Sequence, residues 1–325
     1  MRYSYVEHLP ADYTARTLRA DVLAGLTDDP KWLPPKWFYD KTGSALFEEI
    51  TRLPEYYPTR TERAILARHA AGIVTRSGAR VLVELGSGSS EKTRLLLDAL
   101  PKEEPAYVAL DVSESALRLA GEAVAADYPG TRVTTVRADF ESQLQTVLSG
   151  DSSAGSRLVA FLGGTIGNLA PAPRREFLTR LRAGLVPGDS FLLGADLVKS
   201  ADVLVPAYDD AAGVTAAFNL NVLEVLNRRL AADFDPADFS HRAVWDETES
   251  WIEMRLRADR AVRVRIAGLG LDLELAEGEE IRTEISAKFT RERLEAELAA
   301  VGFDPAGWWT DDEGLFSLSL WTPAA

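Results

Sequence analysis

The sequence contains no cysteine. This absence excludes a disulfide framework, a thiol nucleophile and a cysteine-ligated zinc site, and it leaves the redox compartment open. Histidine is nearly as scarce, with 3 residues in the chain, at His8, His69 and His241, and no paired ligand spacing among them. We therefore predict no metal site, because histidine-rich metal centres need such pairs, and we expect each histidine to be a surface residue.

Long apolar runs and an excess of positive charge are also missing. The N-terminus, M-R-Y-S-Y-V-E-H-L-P, lacks the apolar core of a signal peptide, and no later stretch approaches a membrane span in length. The formal net charge of -14 argues against nucleic acid or an anionic membrane surface as a partner, because phosphate binding depends chiefly on positive charge. We expect a cytoplasmic, monomeric protein that acts on a small molecule.

The most informative stretch, Val81 to Thr93, reads V-L-V-E-L-G-S-G-S-S-E-K-T. An apolar run, then Gly86 and Gly88, then a helix-like segment predict a strand, a tight turn and a helix, and glycine lets such a turn approach a ligand closely. An NAD fingerprint would place a third glycine at Glu91, so NAD is disfavoured and a cofactor without a phosphate, such as S-adenosylmethionine (SAM), fits better. By itself the motif is equally compatible with a purely structural turn.

Strands alternate with helical patterns from this motif onward, which predicts an α/β fold with a doubly wound parallel sheet. The predicted strands are Val81–Leu85, Tyr107–Val112, Val133–Ala138, Leu158–Leu162 and Ser190–Leu197.

Polar residues follow the ends of these strands, where ligands of doubly wound sheets bind. Asp111 is placed to accept hydrogen bonds from the ribose hydroxyls of a cofactor. Asp139 could accept from an adenine amino group, with Phe140 against the adenine ring. Asn168 has a side-chain amide that both donates and accepts, which suits an amino-acid substrate. Each of these acids and amides, taken singly, has an alternative interpretation as a helix cap or turn former. Their occurrence at successive strand ends is not expected from independent capping.

The alternation stops after Leu197. Residues 199–230 are predicted to be helical, and antiparallel strands follow before a helix and a terminal strand. A parallel sheet that ends in a helix and an antiparallel hairpin is the Rossmann-like plan of class I methyltransferases. We predict a SAM-binding methyltransferase domain at 60–197 and 289–325, and an inserted α+β substrate-binding domain at 1–59 and 198–288.

An aromatic-rich stretch, residues 31–61, lies almost entirely in the second of these domains. Core packing is the simplest interpretation of any single aromatic residue there. Tyr39 and Tyr56 each lie beside proline or glycine and a polar neighbour, a setting in which phenols often line a pocket.

Several longer motifs together identify a family. The sequence resembles the histidine-specific Nα-methyltransferases of ergothioneine biosynthesis, of the actinobacterial kind, over nearly the whole chain. The resemblance is carried by P-P-K-W-F-Y-D, L-P-E-Y-Y-P-T-R-T-E, E-L-G-S-G-S-S-E-K-T, F-L-G-G-T-I-G-N-L, A-Y-D-D-A-A-G-V-T-A-A-F-N and I-R-T-E-I-S-A-K-F. It implies an enzyme that moves three methyl groups in succession from SAM to the α-amino group of free L-histidine, giving hercynine, with no metal.

The resemblance also implies residue roles. Cofactor positions are Gly86, Gly88, Lys92, Asp111, Asp139 and Phe140. Tyr56, Asn168 and Tyr208 are implied to hold the substrate's α-amino and carboxylate groups, Glu284 and Ser286 to bind the imidazole, and Tyr39 to lie beside the reacting amine, where it or Tyr56 would orient the nitrogen. One position departs from the expected pattern, because Gly164 stands where we expect serine.

Two other functions remain open at this point. One is an Nα-methyltransferase of another aromatic amino acid such as tryptophan, against which Glu284 argues because it matches an imidazole N–H. The other is a catalytically silent SAM-binding module, against which the intact set of Tyr39, Asn168 and Tyr208 argues.

Overall fold

The computed structural model describes residues 3–88, 90–148 and 155–324. The helices are α1 (Tyr13–Leu26), α2 (Lys41–Ile50), α3 (Pro58–Ser77), α4 (Arg94–Ala99), α5 (Glu114–Asp127), α6 (Phe140–Leu148), α7 (Pro171–Gly184), α8 (Ala201–Tyr208), α9 (Val214–Leu230) and α10 (Arg291–Ala299). The strands are β1 (Tyr3–Glu7), β2 (Val81–Leu85), β3 (Ala106–Asp111), β4 (Arg132–Arg137), β5 (Arg157–Phe161), β6 (Ser190–Asp196), β7 (Phe239–Asp246), β8 (Trp251–Ala258), β9 (Val262–Ile266), β10 (Leu271–Leu275), β11 (Glu280–Ala287), β12 (Phe303–Thr310) and β13 (Phe316–Pro323). Short 3₁₀ turns lie at Pro35–Phe38, Thr165–Asn168 and Pro236–Asp238.

The polypeptide divides into two compact units. The first contains Met1–Leu9, Arg60–Leu197 and Phe289–Ala325, and the second contains Pro10–Thr59 and Val198–Lys288. We predicted residues 1–59 as part of the second unit, and for residues 3–9 this is wrong. The reason is that β1 pairs in parallel with β4, from Tyr3 opposite Val133 to Glu7 opposite Arg137.

The first unit is built on an 8-stranded sheet of order β1-β4-β3-β2-β5-β6-β13-β12. Strands β1 to β6 run parallel to one another, and β13 runs antiparallel to both β6 and β12. This is the class I SAM methyltransferase fold, as predicted. The strand order reverses between β2 and β5, so the carboxyl end of β2, which carries the glycine turn, lies at the switch point of the sheet.

Apolar side chains fix the position of these strands. Strands β2 and β5 are buried at every residue, as expected for central parallel strands covered on both faces. Helices α3, α4 and α5 contribute Ile73, Leu96 and Leu117 to the same core cluster as Leu82 of β2. The residues at the strand ends are therefore carried on a rigid core.

The second unit combines helices with antiparallel strands. Strands β11, β8 and β7 form a sheet in that order, and β9 pairs with β10. Helix α9 packs against α2 and against the sheet through β7 and β8. No helix among the residues that the structure describes is both long and apolar enough to cross a membrane.

Candidate active site

The turn after β2 has the backbone conformation for which glycine is suited. Gly86 and Gly88 have φ angles of +68° and +49°, in the left-handed region that L side chains rarely adopt. A Cβ built on either residue meets no atom within 4 Å, so the protein leaves open space beside the turn. The main-chain N–H groups of Gly86 and Ser87 donate to the carbonyl of Leu110 at 2.8 and 3.1 Å, which fixes the turn to the end of β3.

Asp111 ends β3 and binds the same turn. Its carboxylate accepts from the N–H of Gly88 at 3.2 Å and from that of Ser113 at 2.9 Å. Burial raises the pKa of Asp111, and the backbone donors oppose that rise. An ionised carboxylate offers about four acceptor positions, so acceptor capacity remains beyond these two bonds.

The side chain of Ser87, between the two glycines, is buried, with 6% exposed. Its hydroxyl oxygen has no hydrogen-bond partner within the described part of the chain. Burying a hydroxyl without a partner costs free energy. The open space at the glycines and the unsatisfied hydroxyl together fit a polar ligand such as the amino-acid end of SAM.

Asp139 and Phe140 follow β4. The carboxylate of Asp139 accepts from the N–H of Glu141 at 2.7 Å, so it also begins α6 in the way the capping interpretation predicts. The ring of Phe140 lies 5.3 Å from that of Phe161 and 5.7 Å from that of Phe177, in both cases edge to face. These contacts fix the orientation of the Phe140 ring.

Lys92 forms an ion pair with Glu62, whose side chain is 0% exposed. The Glu62 carboxylate also accepts from the N–H of Gly163 at 2.8 and 3.0 Å. A Cβ on Gly194 would lie 2.1 Å from Glu62 Oε1, which explains glycine at that position. Lys92 therefore connects the region of the glycine turn to the loop after β5, and sequence reasoning missed its partner, although Glu62 lies in the L-P-E-Y-Y-P-T-R-T-E motif.

A second buried acid, Glu84, lies at the end of β2. Its carboxylate accepts from the hydroxyls of Thr93 and Tyr107, and the hydroxyl of Tyr107 also lies 2.9 Å from that of Ser90. Burial raises the pKa of Glu84 to about 7, against the opposing effect of the two hydroxyl donors. Sequence reasoning passed over Glu84, although an acid within a buried strand is an unusual signal.

Asn168 ends the 3₁₀ turn that follows β5 and is half-buried. The loop before it contains Gly163 and Gly164, with φ angles of +79° and +71°. The position at which we expected serine thus has a backbone that favours glycine. A Cβ at Gly164 would make only ordinary contact with the ring of Phe316, at 3.6 Å, so backbone strain would oppose a serine there more than crowding.

The second unit brings Tyr208 and Ser286 together. Their hydroxyl oxygens lie 2.7 Å apart, and both side chains are buried. The ammonium of Lys288, which is 0% exposed, donates to Tyr208 at 2.7 Å and to Ser286 at 2.8 Å. Sequence reasoning missed Lys288, although it lies two residues after Ser286 on the same side of an extended segment.

The predicted tyrosines of this unit belong to one series of aromatic rings. The ring of Tyr56 lies 6.2 Å from that of Tyr208 and 6.2 Å from that of Phe47. The ring of Tyr39 lies 5.5 Å from Phe47 and 5.6 Å from Phe218. Tyr56 is buried, whereas Tyr39 is 46% exposed. The ring of Phe47 thus contacts one buried and one exposed tyrosine.

Glu284 lies on β11 two residues before Ser286, on the same face of the strand. The pairing of β11 with β8 shifts between Arg282 and Glu284, so that Glu284 is opposite Met254. Thr283 is therefore an extra residue, and the strand has a β-bulge immediately before Glu284.

One histidine is not where we predicted. The side chain of His241 is 1% exposed, so its assignment to the surface is wrong. It begins a set of buried hydrogen bonds that includes Asn219 and Thr283, neither of which sequence reasoning singled out. Residues 3–88, 90–148 and 155–324 contain no cluster of three or more histidine, aspartate or glutamate side chains arranged to hold a metal ion.

Comparison with known proteins gives the family context. Residues 18–323 match the family described as histidine-specific methyltransferase, SAM-dependent. The chain is 56% identical over 322 residues to histidine N-alpha-methyltransferase of Mycolicibacterium smegmatis, covering 98% of this chain and 99% of that protein. It is 31% identical over 242 residues to ergothioneine biosynthesis protein 1 of Schizosaccharomyces pombe, covering 71% of this chain and 31% of that protein. A third relative, L-tryptophan methyltransferase of Psilocybe serbica, is 28% identical over 335 residues, covering 93% and 91% of the two chains.

Proposed function

Because this chain belongs to the family of histidine-specific, SAM-dependent methyltransferases, we propose that it trimethylates the α-amino group of free L-histidine to hercynine, the first step of ergothioneine biosynthesis. The chain is a SAM-dependent N-methyltransferase by its family and fold. The observation that carries the choice of substrate is the placement of Glu284 and Ser286 on one face of β11, with the Ser286 hydroxyl 2.7 Å from that of Tyr208.

In the first unit, we assign cofactor binding to the strand ends. The main chain at Gly86 and Gly88 would approach the cofactor, Asp111 would accept from the ribose hydroxyls, and Asp139 from the adenine amino group beside the edge of Phe140. Lys92 would hold the neighbouring loop through Glu62. When bound, SAM would supply a methyl group on a positively charged sulfur. An amine nitrogen would attack the methyl carbon in line with the carbon–sulfur bond, whose electron pair leaves with the sulfur, and this needs no metal.

Positioning of the amine then supplies most of the catalysis. The ammonium form of this nitrogen must release a proton to water to expose its lone pair. The phenol oxygens of Tyr39 and Tyr56 orient the nitrogen by accepting hydrogen bonds from its N–H groups. Each methylation replaces one N–H, so these hydrogen bonds are lost in turn. The faces of aromatic rings, however, also attract a methylated ammonium ion. The series that contains Tyr39, Phe47 and Tyr56 therefore suits successive methylation of one nitrogen.

Neutral donors beside a buried cation suit the carboxylate of the substrate. In the first unit we assign this role to the side-chain amide of Asn168. In the second unit, the hydroxyl of Tyr208 has the same role and is adjacent to the ammonium of Lys288, at 2.7 Å. That positive charge strengthens the attraction to an anion, because a buried charge is less screened than one in water.

The other end of the substrate is recognised on β11. The carboxylate of Glu284 accepts an imidazole N–H in a charge-assisted hydrogen bond, and Ser286 contacts the same ring. Since Ser286 and Tyr208 are already in contact, the imidazole and the carboxylate of the substrate would bind at neighbouring points. In a free amino acid the side chain and the carboxylate are close enough together to do so.

The test is mass spectrometry of the products formed from SAM and a panel of amino acids. We expect histidine to gain three methyl groups in steps. Nα-acetylhistidine, whose imidazole is intact but whose α-nitrogen is blocked, should gain none. Methylation of tryptophan or of a peptide, with histidine unchanged, would contradict the proposal.

The main competing substrate is tryptophan, the substrate named for the Psilocybe relative. An indole also carries an N–H, but it is larger than an imidazole and has no second ring nitrogen. The variant at Glu284 described in the Discussion separates the two substrates.

A further inference from the structure

A buried series of hydrogen bonds in the second unit connects the main chain of Tyr208 to the bulge before Glu284. His241 Nε2 lies 2.8 Å from the carbonyl oxygen of Tyr208, and its Nδ1 lies 2.8 Å from Asn219 Nδ2. Asn219 Oδ1 in turn accepts from the hydroxyl of Thr283 at 2.7 Å. We call His241, Asn219 and Thr283 the buried bridge.

The neighbours of His241 and Asn219 determine which of their side-chain atoms donate hydrogen bonds and which accept them. The carbonyl of Tyr208 can only accept, so His241 carries its proton on Nε2. Asn219 Nδ2 also faces the carbonyl of Arg255, at 3.2 Å, which requires the amide nitrogen on that side and leaves Nδ1 of His241 as an acceptor. The imidazole is therefore neutral.

The environment of the imidazole favours this neutral form. Asn219 and Thr283 are each 0% exposed. Burial lowers the pKa of His241, and the carbonyl of Tyr208 and the carboxylates of Asp209 and Asp210 oppose this effect. Asp209 lies 3.9 Å from Nε2. A fully satisfied polar network of this kind holds its members in a single arrangement.

The far end of the buried bridge lies at the bulge. Thr283 is the extra residue in β11, and its hydroxyl lies 3.0 Å from the carbonyl of Met254 in addition to its contact with Asn219. A bulge changes the direction in which the following side chain points. The bulge is thus held at Thr283, one residue before Glu284.

We propose that the buried bridge fixes the spacing between Tyr208 and Glu284, and that Asn219, His241 and Thr283 are positioning residues that select histidine among amino acids. The proposal rests on the proposed function, in which Tyr208 binds the carboxylate and Glu284 the imidazole. A fixed distance between two polar groups excludes amino acids whose side-chain N–H lies elsewhere.

Thr283 could act through its hydroxyl, by positioning Glu284, or only by filling space, and two variants distinguish these roles. Thr283→Val keeps the shape and β-branching but removes the hydroxyl, and Thr283→Ser keeps the hydroxyl but removes a methyl group. If the buried bridge positions Glu284, the valine variant should raise KM for histidine about ten-fold and lower the preference for histidine over tryptophan, while serine stays near the parent. If Thr283 only fills space, serine should be the more damaging change and valine harmless, which would overturn the proposal.

A pair of asparagines on α9 controls for the loss of a hydrogen-bonded side-chain amide. Asn219→Ala breaks the buried bridge. Asn227→Ala removes an amide that binds the main chain of Phe234, at 2.8 and 2.9 Å. We expect both variants to lower the melting temperature and only Asn219→Ala to raise KM for histidine. Equal KM values in the two variants would overturn the proposal.

Nitrogen-15 NMR of histidine-labelled protein tests the buried bridge without activity. One imidazole should be neutral with its proton on Nε2 and should take up a second proton only below the ordinary pKa of histidine. Thr283→Val should shift the Nδ1 signal of this imidazole, whereas Thr283→Ser should not. An unchanged signal in the valine variant would contradict the buried bridge. If the parent fails to methylate histidine, the proposed function fails by itself; parent activity on histidine with the wrong order of the Thr283 variants overturns this inference alone.

Discussion

The ammonium of Lys288 donates to the phenol oxygen of Tyr208 at 2.7 Å, in a part of the second unit where both side chains are buried. The same ammonium donates to the hydroxyl of Ser286 at 2.8 Å. An ammonium has no acceptor capacity, so both oxygens accept from it, and one of the two hydroxyl protons lies in the 2.7 Å bond between Tyr208 and Ser286. Beside Lys288, only the other hydroxyl proton of this pair is therefore left to donate to a ligand.

Lys288→Met should weaken histidine binding while the protein still folds. Methionine has similar length but supplies neither the charge nor the donors, so both hydroxyls lose their orientation. We expect KM for histidine to rise about ten-fold or more, with cofactor affinity unchanged. Steady-state kinetics and calorimetry with SAM measure the two effects.

The control for Lys288 is Lys31→Met. Lys31 belongs to the same unit and pairs with Glu279 at 2.6 Å, but it contacts neither hydroxyl. Its kinetic constants should match those of the parent. Equal effects of the two substitutions would show that Lys288 has no special role in substrate binding.

Glu284→Ala should change the preference between amino acids. Removing the carboxylate removes both the attraction to an imidazole N–H and the cost of placing an apolar ring beside a carboxylate. We expect kcat/KM for histidine to fall roughly ten- to a hundred-fold and tryptophan to gain relative to histidine. The measurement is kcat/KM for both amino acids in parent and variant.

Glu280 provides the matched control on the same strand. It is half-buried and paired with Arg255 at 2.7 Å, four residues before Glu284. Glu280→Ala should leave the ratio of the two kcat/KM values at the parent value. An unaltered ratio in Glu284→Ala would mean that another residue sets the specificity.

Asp111→Ala should weaken SAM binding without unfolding the first unit. The change removes the proposed partner of the ribose hydroxyls and also releases the N–H groups of Gly88 and Ser113. We expect a loss of about 1.5 to 3 kcal/mol in binding, or roughly ten- to a hundred-fold in Kd. Asp111→Asn keeps one acceptor oxygen and should lie between the parent and the alanine variant.

Calorimetry with SAM measures these affinities. Asp127→Ala, which removes an acid paired with Arg94 on the surface of the same unit, serves as the control and should bind SAM as the parent does. Unchanged affinity in Asp111→Ala would remove Asp111 from the cofactor site.

Glu84 should make the first unit less stable as the pH rises. Its pKa of about 7 in the folded state lies above its ordinary value of 4.5, so between these values the folded state binds more protons than the unfolded state. The free energy of unfolding therefore decreases as the pH rises through this window, by about 3 kcal/mol in total from this group. Denaturant unfolding at a series of pH values from 4.5 to 8 measures the effect.

Glu84→Gln should remove this decrease, because glutamine does not titrate. Glu122→Gln changes an exposed acid on α5 and should leave the pH dependence of the parent intact. His241 acts in the opposite direction, because its pKa is lowered and its contribution to stability is lost as the pH falls below about 6.5. A Glu84→Gln variant that keeps the full decrease toward pH 8 would exclude Glu84 as its source.

The sequence by itself determined the parallel sheet and the placement of polar residues at the ends of its strands. Apolar runs such as Val81–Leu85 and the alternation of strands with helices depend only on neighbouring residues, so the pattern could be read directly. The carboxyl ends of parallel strands share one edge of the sheet, and the structure confirms that Asp111 lies against the glycine turn, with its carboxylate 3.2 Å from the N–H of Gly88. The roles of these residues toward cofactor and substrate stay predictions.

Only the tertiary structure decided which groups are buried together. Strand β1 joins the sheet through β4, about 130 residues away in sequence, and no local pattern shows that pairing. The same holds for Glu62 with Lys92, for Lys288 with Tyr208, and for His241, which looked like a surface residue and is enclosed by Asn219 and the main chain of Tyr208. The burial and the hydrogen-bond partners of a polar side chain depend on residues distant in sequence, so they are settled only when the chain has folded.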